Sequence, residues 1–214
     1  MPTHVIKQGE HISRIADEAG FADPDTIWSH SENASLRELR GDPNVLMPGD
    51  ELFIPERTEK EESCATESKH TFRFRGRQLM LKVRLLGFDD EPLPDTPCEL
   101  HVDDQVHSLT TDADGRIEQV IPATAESGRL IFEDPLVPFD RSIRIEIGHL
   151  DPIAEPSGQR ARLANLGYFF SHGDEREDER FDAAMQEFQC DHGLTVDGIC
   201  GPKTQAKLKE IYGC

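Results

Sequence analysis

The chain has 214 residues, of which 36% are hydrophobic and 7% aromatic, and this composition favours several small domains over one large core. Its 42 acidic residues outnumber its 23 lysines and arginines, which gives a formal net charge of −19 at pH 7. Such a charge repels nucleic-acid phosphates and anionic lipid headgroups, so we expect neither a nucleic acid nor a membrane as a partner.

The first 55 residues predict the order strand, helix, helix, strand. Residues 4–7 alternate as a short strand, and apolar residues then recur at helical spacing from Ile12 onwards. A second helical stretch, interrupted near 31–33, spans 26–40, and a Pro-Gly-Asp turn leads into a strand over 51–54. The predicted core contacts of the second helical stretch are Ile27, Leu36 and Leu39.

With its Gly9-Glu10 turn and its closing sequence MPGDELFIP, this segment (1–55) resembles a LysM domain. The resemblance implies a βααβ fold whose shallow groove, between the first strand–helix turn and the turn before the last strand, binds N-acetylglucosamine units of peptidoglycan. Backbone groups in two such turns can bond acetamido groups while small apolar side chains cover the sugar. The resemblance implicates Gln8, Gly9, Glu10, His11 and Ile12 on one side of the groove, and Asn44, Val45, Leu46, Met47 and Pro48 on the other. Alternatively, Leu46 and Met47 simply fill the small core.

Residues 56–70 are charged and have no apolar period, which predicts a solvated linker. Residues 71–150 contain five or more short alternating segments separated by regular turn signals. This pattern predicts a domain that resembles an antiparallel β-sandwich.

Two groups in the middle domain invite an ion-binding interpretation. Asp112 and Asp114-Gly115 resemble the start of a calcium loop, but Ala123 stands where a bidentate glutamate is required, so a hairpin turn is favoured. His101, Asp103 and His107 alternate as if on one strand face, yet nothing completes a coordination sphere. A polar sheet face is therefore the preferred interpretation, and no metal and no cofactor are predicted.

Residues 151–214 predict three helices. Leu163 and Leu166 anchor the first helix, and the second spans about 178–191 with apolar residues at helical spacing. Gly201-Pro202 begins the third helix, because proline suits a first helical position. The predicted apolar stripe of the third helix is Thr204, Leu208 and Ile211.

The C-terminal segment is similar to the three-helix peptidoglycan-binding domain that is often attached to cell-wall hydrolases. The sequences that carry the similarity are LGY at 166–168, FQ at 188–189 and GLTVDGICGPKT at 193–204. The family usually has a further glycine turn after LGY, where this chain has the acidic run SHGDEREDER. The resemblance implies binding of a wall stem peptide, whose carboxylate suits backbone amides near a helix start. The implicated residues are Tyr168, Val196, Asp197, Gly198 and Gly201; alternatively, the turn is only part of the scaffold.

The five cysteines are odd in number and form no CxxC pair, which favours free thiols, with pairing of Cys190 and Cys200 as the alternative. The chain shows no nucleophile–base pair, no HExxH motif and no recognisable carboxylate dyad. We therefore predict a multidomain α+β protein without catalytic residues.

The order of the three domains resembles proteins associated with type VI secretion spikes and related contractile machines. That resemblance implies a peptidoglycan-binding cargo, adaptor or effector chaperone whose partners include a spike protein or an effector. The start MPTHVIKQGEH shows no secretory signal, so we expect the protein in the cytoplasm before delivery, and in the periplasm or a target cell afterwards. Two alternatives stay open: a cell-wall hydrolase with an unrecognised catalytic middle domain, and a cytoplasmic protein–protein adaptor that reuses both folds.

Overall fold

The computed structural model combines helices with antiparallel sheets and ends in a helical region, which confirms the predicted α+β class. Below, the N-terminal unit is 3–57, the β unit is 79–146, the connector is 147–155 and the helical unit is 156–214. The described residues are 3–57, 63–71, 78–87, 91–132, 142–169 and 177–214.

The N-terminal unit follows the predicted order of elements. Its two strands pair antiparallel, with His4 opposite Leu52, and its helices contribute to a small apolar core that includes Ile12, Ile27 and Leu46. Leu39 was predicted to be a core residue, but this is wrong, because its side chain is 67% exposed. The elements are β1 (Thr3–Val5), α1 (Ile12–Glu18), α2 (Asp25–Trp28), a 3-10 turn (Ser31–Asn33), α3 (Ala34–Arg40) and β2 (Glu51–Phe53).

The β unit contains two antiparallel sheets whose inward side chains form one apolar cluster. Leu100, Val102 and Leu130 in this cluster are fully buried, as the alternating burial of their strands requires. The strands are β3 (Leu79–Arg84), β4 (Pro97–Val102), β5 (Gln105–Thr110), β6 (Arg116–Ile121), β7 (Ser127–Phe132) and β8 (Ser142–Glu146). The orders of the two sheets are β3-β6 and β5-β4-β7-β8.

The helical unit consists of α4 (Pro156–Asn165), α5 (Glu177–Asp191) and α6 (Pro202–Tyr212). All three helices contribute to one apolar cluster, in which Leu163, Met185, Phe188 and Leu208 are fully buried. Ile211 was predicted to extend the apolar stripe of α6, but it is 39% exposed, so that prediction is wrong.

The connector is fastened to the start of α4. A Cβ atom on Gly158 would lie 2.2 Å from the carbonyl oxygen of Pro152, so only glycine allows this approach. The side chain of Gln159 donates to the carbonyl of Ile153 at 2.9 Å, and Arg162 Nη1 donates to the carbonyl of Asp151 at 2.9 Å. These contacts hold the connector and the first turns of α4 together.

Candidate functional site

The turn between α5 and α6, residues 195–201, is organised by one buried side chain. Gln189 on α5 is fully buried, and its Oε1 accepts the backbone N–H groups of Asp197 (3.0 Å) and Gly198 (2.9 Å). Its Nε2 donates to Asp197 Oδ1 at 2.9 Å and to the carbonyl of Ile199 at 3.0 Å. We call residues 195–201 the Gln189 turn, because this amide bonds the three residues at its centre, 197–199.

Asp197 completes the bonding inside the turn. Its Oδ1 also accepts the backbone N–H of Ile199 at 2.9 Å, and the N–H of Gly201 donates to the carbonyl of Ile199 at 2.8 Å. The bond from Ile199, followed by the one from Gln189, lowers the pKa of the Asp197 carboxyl. The backbone N–H groups of Asp197 and Gly198 thus donate to Gln189, and those of Ile199 and Gly201 donate within the turn, so a ligand meets mainly side chains here.

The turn exposes two polar residues, Thr195 and Asp197, and two apolar ones. Val196 is 53% exposed and Ile199 is 67% exposed. Tyr168 packs edge-on against Phe188, with ring centroids 5.5 Å apart, and so borders the core beside Gln189. Ile199 and Gln189 belong to the sequence motifs that carry the similarity but were not among the predicted site residues, although an isoleucine in a glycine-rich turn and a glutamine on the apolar side of α5 were available signals.

The first turn of the N-terminal unit is held by Glu10. Its Oε2 accepts the backbone N–H of Lys7 at 2.9 Å and lies 2.7 Å from His4 Nε2. Burial acts to raise the pKa of Glu10, but the bonds from His4 and Lys7 outweigh it and place that pKa below its usual value. Gly9 adopts a φ of 84°, in the left-handed region that favours glycine. Gln8 is exposed, whereas His11 and Ile12 are buried.

The second turn of the N-terminal unit is held by Asp50. Its two oxygens accept both Nε (2.8 Å) and Nη2 (2.7 Å) of Arg40, and Oδ2 also accepts the backbone N–H of Met47 at 2.9 Å. Hydrogen bonding to Asp50 raises the pKa of Arg40 against the opposing effect of burial, and the charges of Asp50 and Glu155 add to the rise. The end of α3 is thereby fixed to the turn that precedes β2.

The ten residues predicted to line the N-terminal groove differ in exposure. Leu46 belongs to the apolar core, which supports the core-filling alternative for that residue, while Met47 is half-buried. Asn44 and Pro48 are exposed. Val45 is 6% exposed, yet it is not part of the apolar cluster of the unit.

The structure shows what the two candidate ion-binding groups of the β unit do. Asp112 Oδ1 accepts the backbone N–H groups of Asp114 (2.9 Å) and Arg116 (2.8 Å), which makes this segment a side-chain-stabilised turn before β6. The grouping of His101 and His107 on one strand face is wrong. His107 on β5 lies opposite Leu100, so it shares the face of Leu100, and His101 lies on the other face of β4.

Within the described residues, no group of three or more histidine, cysteine, aspartate or glutamate side chains could hold a metal ion. All five cysteines lie in the described part of the chain, and none is paired there. Burial raises the pKa of Cys200 to about 11. None of the helices in the described ranges is long and apolar enough to cross a membrane.

Residues 160–208 match the family described as "Putative peptidoglycan binding domain", which confirms the resemblance of the C-terminal segment. The match covers less than a quarter of the 214 residues and runs from α4 to Leu208 on α6, so it includes Gln189 and its turn. No curated protein and no solved structure matches the chain. The LysM resemblance lies outside the matched residues and stays a prediction.

Proposed function

We propose that this protein binds peptidoglycan without cleaving it, and that the Gln189 turn of the helical unit is its contact surface for a wall stem peptide. The match of residues 160–208 to a peptidoglycan-binding family is the observation that carries the proposal. The turn is rigid because its backbone groups are bonded internally, and it presents the side chains of Val196 and Ile199 to solvent. Pre-organised turns of this kind bind with little loss of conformational entropy.

The same geometry favours binding over catalysis. Two carboxylates in the predicted binding turns already have structural bonding partners: Asp197 bonds Gln189 and the backbone of Ile199, and Glu10 bonds His4 and the backbone of Lys7. Groups held in this way position turns and are not free to transfer protons to a substrate.

We extend the proposal to the N-terminal unit, whose groove recognises N-acetylglucosamine oligomers. Its support is the LysM-like sequence of residues 1–55 together with a strand–helix–helix–strand order in which β1 and β2 pair. Binding of glycan by one unit and of stem peptide by the other would raise the overall avidity for the wall. The order of the units further supports a role as cargo, adaptor or effector chaperone of a contractile secretion spike, by resemblance.

Co-sedimentation with purified sacculi tests the wall-binding proposal. Val196→Glu places a charge in the exposed apolar part of the Gln189 turn, and we expect it to reduce the bound fraction at least about fivefold. Val106→Glu is the matched control, because Val106 is 56% exposed against 53% for Val196 but lies on β5 of the β unit.

Released muropeptides are measured in the same experiment. No binding by the wild-type protein would overturn the proposal and favour the adaptor alternative, for which the net charge of −19 is the supporting observation. Release of soluble muropeptides would instead identify a hydrolase. Equal loss of binding in the Val196→Glu and Val106→Glu proteins would exclude the Gln189 turn as the contact surface.

A further inference from the structure

The connector lies directly against the first turn of the N-terminal unit. A Cβ atom on Gly148 would lie 2.6 Å from the carbonyl oxygen of Gly9 and 3.0 Å from Cδ2 of His11. In the reverse direction, a Cβ atom on Gly9 would lie 3.0 Å from Nε2 of His149. Two segments that are 139 positions apart in the sequence therefore touch: Gly148 lies against the backbone of Gly9 and has no room for a larger residue, while Gly9 lies against the ring of His149.

The burial of His11 shows how closely this contact is packed. His11 is the N-cap residue that precedes α1 and is only 2% exposed, and neither of its ring nitrogens has a hydrogen-bond partner among the described residues. An imidazole that is not bonded within its own turn is normally hydrated. The connector, with Gly148 next to this ring, contributes to the exclusion of water from it.

The other side of the predicted groove, residues 44–48, belongs to a region that lies near the connector and α4. Val45 is buried although it does not belong to the apolar cluster of the N-terminal unit. Burial lowers the pKa of Arg162, and Asp42 is among the charges that oppose this lowering, which places Asp42 near α4. The charge of Glu155, at the end of the connector, likewise helps to raise the pKa of Arg40 at the end of α3.

An ion pair adds a further tie between these units. Arg14 Nη1 on α1 lies 2.7 Å from Oε1 of Glu126, which precedes β7. The backbone N–H of Ile147, the first residue of the connector, donates to the carbonyl of the same Glu126 at 3.0 Å. The start of the connector and the side of α1 are thus attached to one residue of the β unit.

We propose that the connector closes the N-terminal groove in the free protein, so that an N-acetylglucosamine oligomer reaches the groove only after the connector has moved away. The proposal rests on the glycan-binding function proposed above for this groove. Because α4 holds the connector through Gly158, Gln159 and Arg162, opening the groove requires a shift of the helical unit relative to the N-terminal unit. The closing segment is part of the same chain, and glycan therefore competes with an intramolecular contact.

Gly148→Ala tests the closure in the full-length protein, because its methyl group would collide with the Gly9 carbonyl. Gly41→Ala is the matched control: Gly41 has a φ of 72° against 77° for Gly148, but a Cβ atom there meets nothing within 4 Å. His149→Ala, which removes the ring beside Gly9 without changing a positive-φ residue, is the second variant. Trp28, the only tryptophan and a buried residue of the N-terminal unit, reports whether each variant keeps this unit folded.

The two measurements are amide hydrogen exchange of residues 8–15 and titration with N-acetylglucosamine tetramer. We expect faster exchange and about tenfold tighter tetramer binding in the Gly148→Ala and His149→Ala proteins, and neither change in the Gly41→Ala protein. Unchanged exchange in both test variants would overturn the closure. Faster exchange with wild-type tetramer affinity would also overturn it, because the groove would then be open beside the connector. Faster exchange with no tetramer binding by any protein would support the closure and refute glycan binding by the N-terminal unit.

Discussion

The amide nitrogen of Gln189 donates to the carboxylate of Asp197 at 2.9 Å, and the amide oxygen of Gln189 accepts the backbone N–H of Asp197 at 3.0 Å. One residue on α5 is thus joined to both the side chain and the main chain of a residue in the turn that follows. These two hydrogen bonds fix the turn to α5. The side chains of Val196 and Ile199 lie outside this hydrogen-bonded part and are exposed.

Replacing Gln189 should therefore loosen the turn. We expect Gln189→Ala to lower the free energy of unfolding of the helical unit by about 2–4 kcal/mol, because it leaves buried donors and acceptors without partners. Hydrogen exchange of residues 181–212 in the full-length protein measures this loss. The control is Gln186→Ala, which changes the same residue type at an exposed position of the same helix. Equal protection in the two variants would show that the Gln189 bonds do not stabilise the turn.

The Arg40–Asp50 pair should contribute strongly to the stability of the N-terminal unit. Its side chains are only 10% and 8% exposed, so Asp50→Ala leaves a nearly buried guanidinium without its carboxylate. We expect a loss of about 3 kcal/mol in the unfolding followed by Trp28 fluorescence.

Lys82→Ala provides the comparison for that pair, since Lys82 and Glu118 form an ion pair whose side chains are 66% and 54% exposed. An exposed pair contributes less than about 1 kcal/mol, so this variant should unfold at nearly the same denaturant concentration as the wild type. A similar cost for both variants would contradict the distinction between the two pairs.

The N-terminal unit should lose stability in mild acid through His11. Burial, followed by the charge of Arg14, lowers the pKa of His11 below its ordinary value of 6.5. The unfolded chain then binds a proton more readily than the folded one, so the stability contributed by neutral His11 is complete above pH 6.5 and is lost as the pH falls towards the lowered folded pKa.

Urea unfolding of the wild type and of His11→Leu, followed by Trp28 fluorescence between about pH 7.5 and about pH 5, checks this expectation. The wild type should lose more free energy over this range than the variant, which has no group to protonate at residue 11. His70→Gln, at an exposed histidine outside the three units, should keep the wild-type pH dependence. Parallel curves for wild type and His11→Leu would refute the role of His11.

Salt should strengthen binding to the wall. The protein carries a net charge of −19, and the stem-peptide carboxylates make the wall anionic, so the two repel each other at long range. Raising the ionic strength from about 0.02 M to about 0.15 M shortens the Debye length and should increase the fraction that sediments with sacculi. A steep decrease with salt would point to a local basic contact in place of the apolar Gln189 turn.

Local patterns predicted most of the helices and strands, but they did not predict every core residue. Ile27 and Leu36 are buried as their helical spacing indicated, whereas Leu39, three positions further, is exposed. Helical period selects a face of a helix, and the packing partner decides how much of that face is covered. Ile211 on α6 is exposed for the same reason, because the apolar cluster of the helical unit does not extend to it.

The sequence by itself determined the α+β class, the order of the elements, the glycine and proline turns, and the relation of residues 160–208 to peptidoglycan-binding domains, because each of these depends on residues within a few turns of chain. Only the tertiary structure decided that Gln189 accepts the backbone N–H groups of Asp197 and Gly198, that His11 is buried, and that the connector lies on Gly9. These last features depend on hydrogen-bond geometry and on contacts between residues more than 100 positions apart, and local residue spacing carries no information about either.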